Sequence, residues 1–233
     1  MKNTIERTLF WFNDGGNKLL QLNERFFSLS VLLNRLLSEK YIGKKIQFIN
    51  LFFRTEKTYK MHPQAEKFFV YFYDKQLTYD DVFDLESFNK LNKKDQSKFL
   101  WKRAYEILQE ASIFLKNKQL LLASDYAYNK GIEMGLNADY RMVSKDVVLF
   151  NQNMKASVWV NFKEDKMFSS FTLENNGDIF FKKEIDKTQS GIEYFLEIYK
   201  DIEQTVDGII IRGNRNVEYL PLKISLEEIK IKD

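Results

Sequence analysis

The chain has 233 residues, 44% of them hydrophobic and 15% aromatic, with 2 Pro and 9 Gly. That is core-forming material for one large domain or two small ones, and it excludes disorder as the main state. There is no Cys, and Lys and Arg total 36 against 33 Asp and Glu, a net charge of +3; disulfides, thiolate nucleophiles and Cys-ligated zinc are excluded, and the balance is too even to imply nucleic acid.

Residues 1–30 carry Lys2, Glu6, Arg7, Asp14, Lys18, Glu24 and Arg25. These charges interrupt the apolar core of a signal peptide, and no run approaches the ~18–20 apolar residues of a membrane helix. The expectation is a soluble cytoplasmic protein. Within this stretch, "TIERTLFWF" (4–12) reads as a short amphipathic helix. "NDGGN" (13–17) would end it at Gly15 and Gly16, with Asn17 capping the next. A phosphate-cradling loop there lacks the rest of its pattern.

From 18 to 39, Leu19, Leu22, Phe26, Leu29, Leu33 and Leu36 recur three or four apart, the stripe of a buried helix. "KIQFINLFF" (45–53) and "KFFVYFY" (67–73) are β-branched and aromatic, and read as strands. The segment between them, "RTEKTYKMHPQAE", reads as a polar connection. It holds His62, the only histidine, so triads and multi-histidine zinc sites are excluded.

"YDKQLTYDDVFDLE" (73–86) is the densest acidic stretch. Thr78 with Asp81 three residues on suggests a helix start, complemented by acids in its first turn. A second reading makes it an exposed partner-binding surface of Tyr79, Asp80, Asp81, Phe83, Asp84 and Glu86, in which acids steer a basic partner and aromatics anchor it.

Asn92 would cap a long helix carrying Leu100, Ala104, Ile107, Leu108 and Ala111. Lys90, Lys93, Lys94 and Lys98, broken by Asp95, fit its solvated face. "KNKQ" breaks the pattern, and 119–134 reads as an antiparallel partner ending near Gly135. The pair, with "AYEILQEA" and "ASDYAYNKG", resembles a single tetratricopeptide-type hairpin. A repeat array needs about three units, so the resemblance implies a helical hairpin alone.

At Arg141 the texture changes. Residues 141–150, 155–163, 166–174 and 178–184 read as strands, with Asn176-Gly177 as a hairpin turn. Ser190 and Glu193 suggest a capping box opening a helix through Glu203. Residues 208–212 and 217–224 close the chain as strands, and Pro221 marks the last as an edge.

The fold class expected is α+β: a helical N-terminal part with an early strand pair, then an antiparallel β-meander with one packed helix. Two subdomains, 1–140 and 141–233, are expected to pack as one compact unit.

One constellation suggests chemistry. Asp146, Glu164 and Lys166 follow the order of a metal-dependent nuclease of the Asp…Glu-x-Lys type, with two acids on Mg²⁺ and a Lys near the attacking water. Strand phase argues instead that "KEDK" (163–166) is a hairpin turn, because the apolar runs 158–162 and 167–173 flank four charges that prefer water. No cofactor fingerprint or metal-ligand motif appears. In size and texture the whole chain resembles bacterial immunity proteins, which bind and neutralise a polymorphic or contact-delivered toxin. The resemblance implies a non-enzymatic α+β protein with a protein partner, no nucleic acid and no membrane association. It rests on architecture and transfers no site residue.

Overall fold

The structure is a computed structural model that describes residues 5–163 and 165–230. The chain forms two compact units, Met1–Ala138 and Asp139–Asp233, and its architecture is α+β.

The first unit contains strands β1 (Arg7–Asp14), β2 (Asn17–Lys18), β3 (Phe48–Arg54), β4 (Phe69–Tyr73) and β5 (Gln76–Val82). Its helices are α1 (Leu20–Arg25), α2 (Phe27–Lys40), α3 (Glu56–Met61), α4 (Leu85–Lys90), α5 (Lys93–Phe114) and α6 (Lys118–Glu133). The five strands make one mixed sheet in the order β2-β1-β3-β5-β4. β1, β3 and β5 run parallel, and β4 returns antiparallel to β5.

This corrects the expected layout, in which the first part had two strands. The run 4–12 is not the helix expected: residue 4 lies outside the described residues, and Arg7 to Phe12 belong to β1. β1 runs beside the central β3, and both its faces meet other side chains, so its apolar residues are continuous and mimic a short helix. Gly15 and Gly16 close a hairpin from β1 to β2 and do not end a helix. The polar connection contains α3, and Thr55, the residue before it, is anchored by its N–H on the Asn13 carbonyl, 3.0 Å away.

Alternation along the strands sends Thr8, Phe10, Phe12, Ile49, Leu51, Phe53, Leu77, Tyr79 and Asp81 to one face. All nine are buried. α2 meets this face through Asn34, which accepts from Thr8 at 3.2 Å, and α5 meets it through Arg103, paired with Asp81. Phe12 contacts the rings of Phe26, Phe53 and Phe83 at 6.1, 5.1 and 5.5 Å, and Phe83 reaches Phe88 at 4.9 Å. Each such side chain contributes roughly 1.5–3 kcal/mol of burial.

The helical hairpin forms as its pattern predicts. Asn92 and Asn117 cap α5 and α6, accepting from the N–H groups of Asp95 and Leu120. Leu100, Ala104, Ile107, Leu108 and Ala111 are fully buried. Leu108→Ala should therefore cost about 2–5 kcal/mol, as truncations in packed sites do. Urea unfolding checks it; an unchanged midpoint would mean the stripe is not buried.

The second unit holds a four-stranded antiparallel meander: β6 (Tyr140–Leu149), β7 (Gln152–Lys163), β8 (Lys166–Asn175) and β9 (Asp178–Gln189). A three-stranded sheet follows, of β10 (Tyr199–Thr205), β11 (Gly208–Gly213) and β12 (Leu222–Ser225), and then α7 (Leu226–Lys230). Asn176 and Gly177 turn β8 into β9 with φ of 50° and 93°, the left-handed pair a tight hairpin needs. β12 lies at a sheet edge, directly after Pro221. The helix expected from Ser190 to Glu203 is not formed. A 3₁₀ turn at Glu193–Glu197 follows Ile192, with no side-chain cap, and the chain then extends as β10. Tyr199 and Ile202 are buried from that strand, and packing overrides a local capping pattern.

Candidate functional site

The acidic stretch does not form the exposed patch expected of it. Thr78 starts no helix; it lies inside β5, whose alternation sends successive residues to opposite faces. Tyr79 is 1% exposed and donates its hydroxyl to Glu110. Burial, and then that carboxylate, push the phenol pKa well up. Asp81 is buried beside it and accepts from Arg103 Nη2 and Nε at 2.6 and 2.8 Å. The Asp81 carboxylate in turn raises the guanidinium pKa further.

Asp80 points to the other face and accepts from Arg54 Nε at 3.0 Å. Burial raises its pKa while Arg54 opposes the shift. Phe83 is core. Asp84 caps α4 through the Ser87 N–H, a hydrogen bond that lowers its pKa. Glu86 is exposed and pairs with Lys90 at 2.8 Å. Of the four acids only Asp84 and Glu86 are exposed, and both serve α4. The negative field expected to steer a basic partner is largely cancelled by Arg54 and Arg103.

The opposite face of the sheet has a different character. The register sets three rows across β1, β3, β5 and β4: Trp11, Phe52, Asp80 and Phe69; Leu9, Asn50, Thr78 and Tyr71; Arg7, Phe48, Gln76 and Tyr73. Trp11 and Phe52 stack at 6.2 Å, and the Trp11 indole donates to Asn50 Oδ1 at 2.9 Å. Arg54 lies 4.8 Å over the Phe52 ring, and Arg7 5.7 Å over Phe48. On β4, Phe69, Tyr71 and Tyr73 form a ladder of rings 6.5 Å apart. Their exposures are 41%, 48% and 70%. Trp11, Phe48 and Phe52 are half-buried.

The Trp11–Asn50 hydrogen bond and the ring and guanidinium contacts restrict the rings on β1 and β3, and those on β4 stack on one another. A partner gains large contact area from them at little cost in side-chain entropy. Trp, Tyr, Phe and Arg are also the types enriched in protein interfaces. The alternation of "KFFVYFY" already places Phe69, Tyr71 and Tyr73 on one side. Trp11 and Phe52 join them only once β1 and β3 are known to run parallel, which the sequence does not signal.

The nuclease constellation is not brought together at its ends. β7 pairs with β8 as expected, with Phe162 opposite Met167 and Lys163 opposite Lys166. Lys163, Asp165 and Lys166 are exposed. Asp146, however, pairs with Lys155. Lys155 and Lys163 are eight positions apart on β7, so Asp146 and Lys166 are separated by roughly 26 Å along the strand direction alone, at ~3.3 Å per residue. Glu164 lies outside the described residues. Among the described residues no group of three His, Asp or Glu is placed to hold a metal ion. His62 is exposed at the end of α3.

No family model matches the chain, and no similar chain is found among curated proteins or solved structures. Among the described residues no helix is long and apolar enough to cross a membrane.

Proposed function

We propose that the chain is a non-enzymatic protein-binding module that docks its partner on the open aromatic face of the five-stranded sheet. The observation that carries this reading is the exposed ladder of Phe69, Tyr71 and Tyr73 beside Trp11 and Phe52. Charge favours a protein over nucleic acid. The face carries Arg7 and Arg54 against Asp80, and Arg54 is already paired with Asp80. Single-strand binders instead combine stacking rings with a basic groove that tracks the phosphates.

The finer reading is a bacterial immunity protein acting in the cytoplasm on a cognate toxin. It rests on the likeness in size and texture, and the aromatic face suits a shape-matched complex. The test begins with affinity capture of the tagged chain from its native cells. A stoichiometric toxin domain should be recovered, and co-expression should protect cells from it. Trp11→Ala with Tyr73→Ala should then weaken binding at least tenfold, the scale of a lost interface anchor, while circular dichroism stays unchanged. Full affinity in the folded double variant would move the interface elsewhere. Recovery of nucleic acid alone, or Mg²⁺-dependent cleavage of it, would overturn the reading.

A further inference from the structure

β4 is the outer edge of the five-stranded sheet. Edges of this kind are commonly guarded by Lys, Pro, a bulge or an inward charge. Residues 69–73 are Phe, Val, Tyr, Phe and Tyr, and none of these guards is present. The residues on either side, Phe68, Asp74 and Lys75, have positive φ and confine the strand to five positions.

Hydrogen-bond phase follows from the turn. Asp74 and Lys75, with φ of 42° and 63°, form a two-residue hairpin loop, so Tyr73 and Gln76 close the ladder as a hydrogen-bonded pair. Tyr71 with Thr78 and Phe69 with Asp80 repeat that pairing, two positions on each time. The N–H and C=O groups of Val70 and Phe72 therefore point outward, away from β5.

We propose that this edge pairs with itself, so that two copies of the chain join antiparallel across a two-fold axis at Tyr71. The strand is self-complementary in two independent ways. An axis at Tyr71 sets Val70 opposite Phe72 of the second copy, and both present outward groups, so four backbone hydrogen bonds form without a slip. A shift of one residue sets outward groups against inward ones, and an axis at Val70 leaves Phe72 opposite Phe68, where the strand has ended. On the open face the same axis sets Tyr71 opposite Tyr71 and Phe69 opposite Tyr73, which continues the aromatic ladder from one copy into the next. No charge lies within 69–73 to repel its symmetry mate. Because the strand is short, the association is reversible and depends on concentration. This proposal does not rest on the protein-binding reading above.

Two measurements decide it. In sedimentation velocity over a dilution series, the wild-type mass should rise from monomer toward dimer. Val70→Pro removes an outward donor and no bond to β5, so it should stay monomeric, while Val70→Thr should behave as wild type. The chain has no cysteine, so Tyr71→Cys introduces a single thiol. At a two-fold axis between non-hydrogen-bonded residues, facing Cα atoms lie about 4.5 Å apart, within disulfide reach. Tyr71→Cys should oxidise to a covalent dimer, and Tyr73→Cys, which faces Phe69, should not. The cysteine pair still decides if Val70→Pro fails to fold. A wild type that stays monomeric throughout, a dimer that persists in folded Val70→Pro, or equal cross-linking of both cysteine variants would overturn the proposal. So would an edge occupied only by an extended segment of another protein.

Discussion

Arg103→Met should destabilise the first unit by about 3–5 kcal/mol, the cost of stranding a buried charge. The side chain of Asp81 is 2% exposed and that of Arg103 is 20% exposed. The guanidinium holds both carboxylate oxygens, at 2.6 and 2.8 Å, and Met cannot hold either. The carboxylate would then remain on the helix-covered face of β5 without its counter-charge. Arg103 also donates to Glu106 at 3.1 Å and Glu110 at 3.5 Å, but both acids are part-exposed and water can take its place there. The penalty therefore belongs to Asp81. A second variant separates it from lost packing: Asp81→Leu with Arg103→Met removes both charges and should recover most of the loss, because replacing a buried pair by apolar side chains is often close to neutral. Urea unfolding of the three proteins reads this directly, with the slope held constant. A loss below ~1 kcal/mol for Arg103→Met would mean that water reaches Asp81.

That pair also explains why the acidic stretch misleads. Read locally, Asp80, Asp81 and Asp84 are charges that seek water, and a helix start gives it to them. The neutralising groups, Arg54 and Arg103, lie more than twenty residues away on other elements. Nothing within the stretch signals them. Leu77, Tyr79 and Asp81 do alternate as a strand should, but an Asp at the third inward position breaks the apolar pattern that would have disclosed it.

β1 misleads in the opposite way. Phe10 and Phe12 face the helices while Leu9 and Trp11 face the aromatic side, so no period of two is visible in the residue types. Elements whose partners are near in sequence were legible. The α5–α6 hairpin carries its own caps and stripe, and the meander carries its own turns. The parallel sheet depends on contacts between β1, β3 and β5, separated by whole helices, and so does the open face built on it. Only its β4 ladder shows in the sequence, as three aromatic residues two apart.

Trp101→Ala should cost about 3–5 kcal/mol, and a change of one methyl group at Gly131 should report on the same contact. Trp101 is fully buried in α5, and its indole donates to the Tyr128 carbonyl at 3.1 Å, which fixes the ring against α6. A Cβ on Gly131 would lie 2.2 Å from the Cζ2 atom of that ring and 2.6 Å from its Cε2. Two effects then compete in Gly131→Ala. Helix propensity favours Ala by about 1 kcal/mol. The clash must push either the ring or the helix aside, and overpacking of this kind costs about 1–3 kcal/mol. A contact at 2.2 Å is well inside any non-bonded carbon–carbon separation, and the hydrogen bond to Tyr128 blocks the ring's retreat, so the clash wins and the single variant is destabilised. With Trp101 already cut to Ala the obstacle is gone, and the same Gly131→Ala change should become neutral or stabilising by up to ~1 kcal/mol. The four proteins form a double-mutant cycle with a coupling energy of about 0.5–3 kcal/mol. Additive effects, or a Gly131→Ala single variant more stable than wild type, would show that the two helices do not meet ring against backbone.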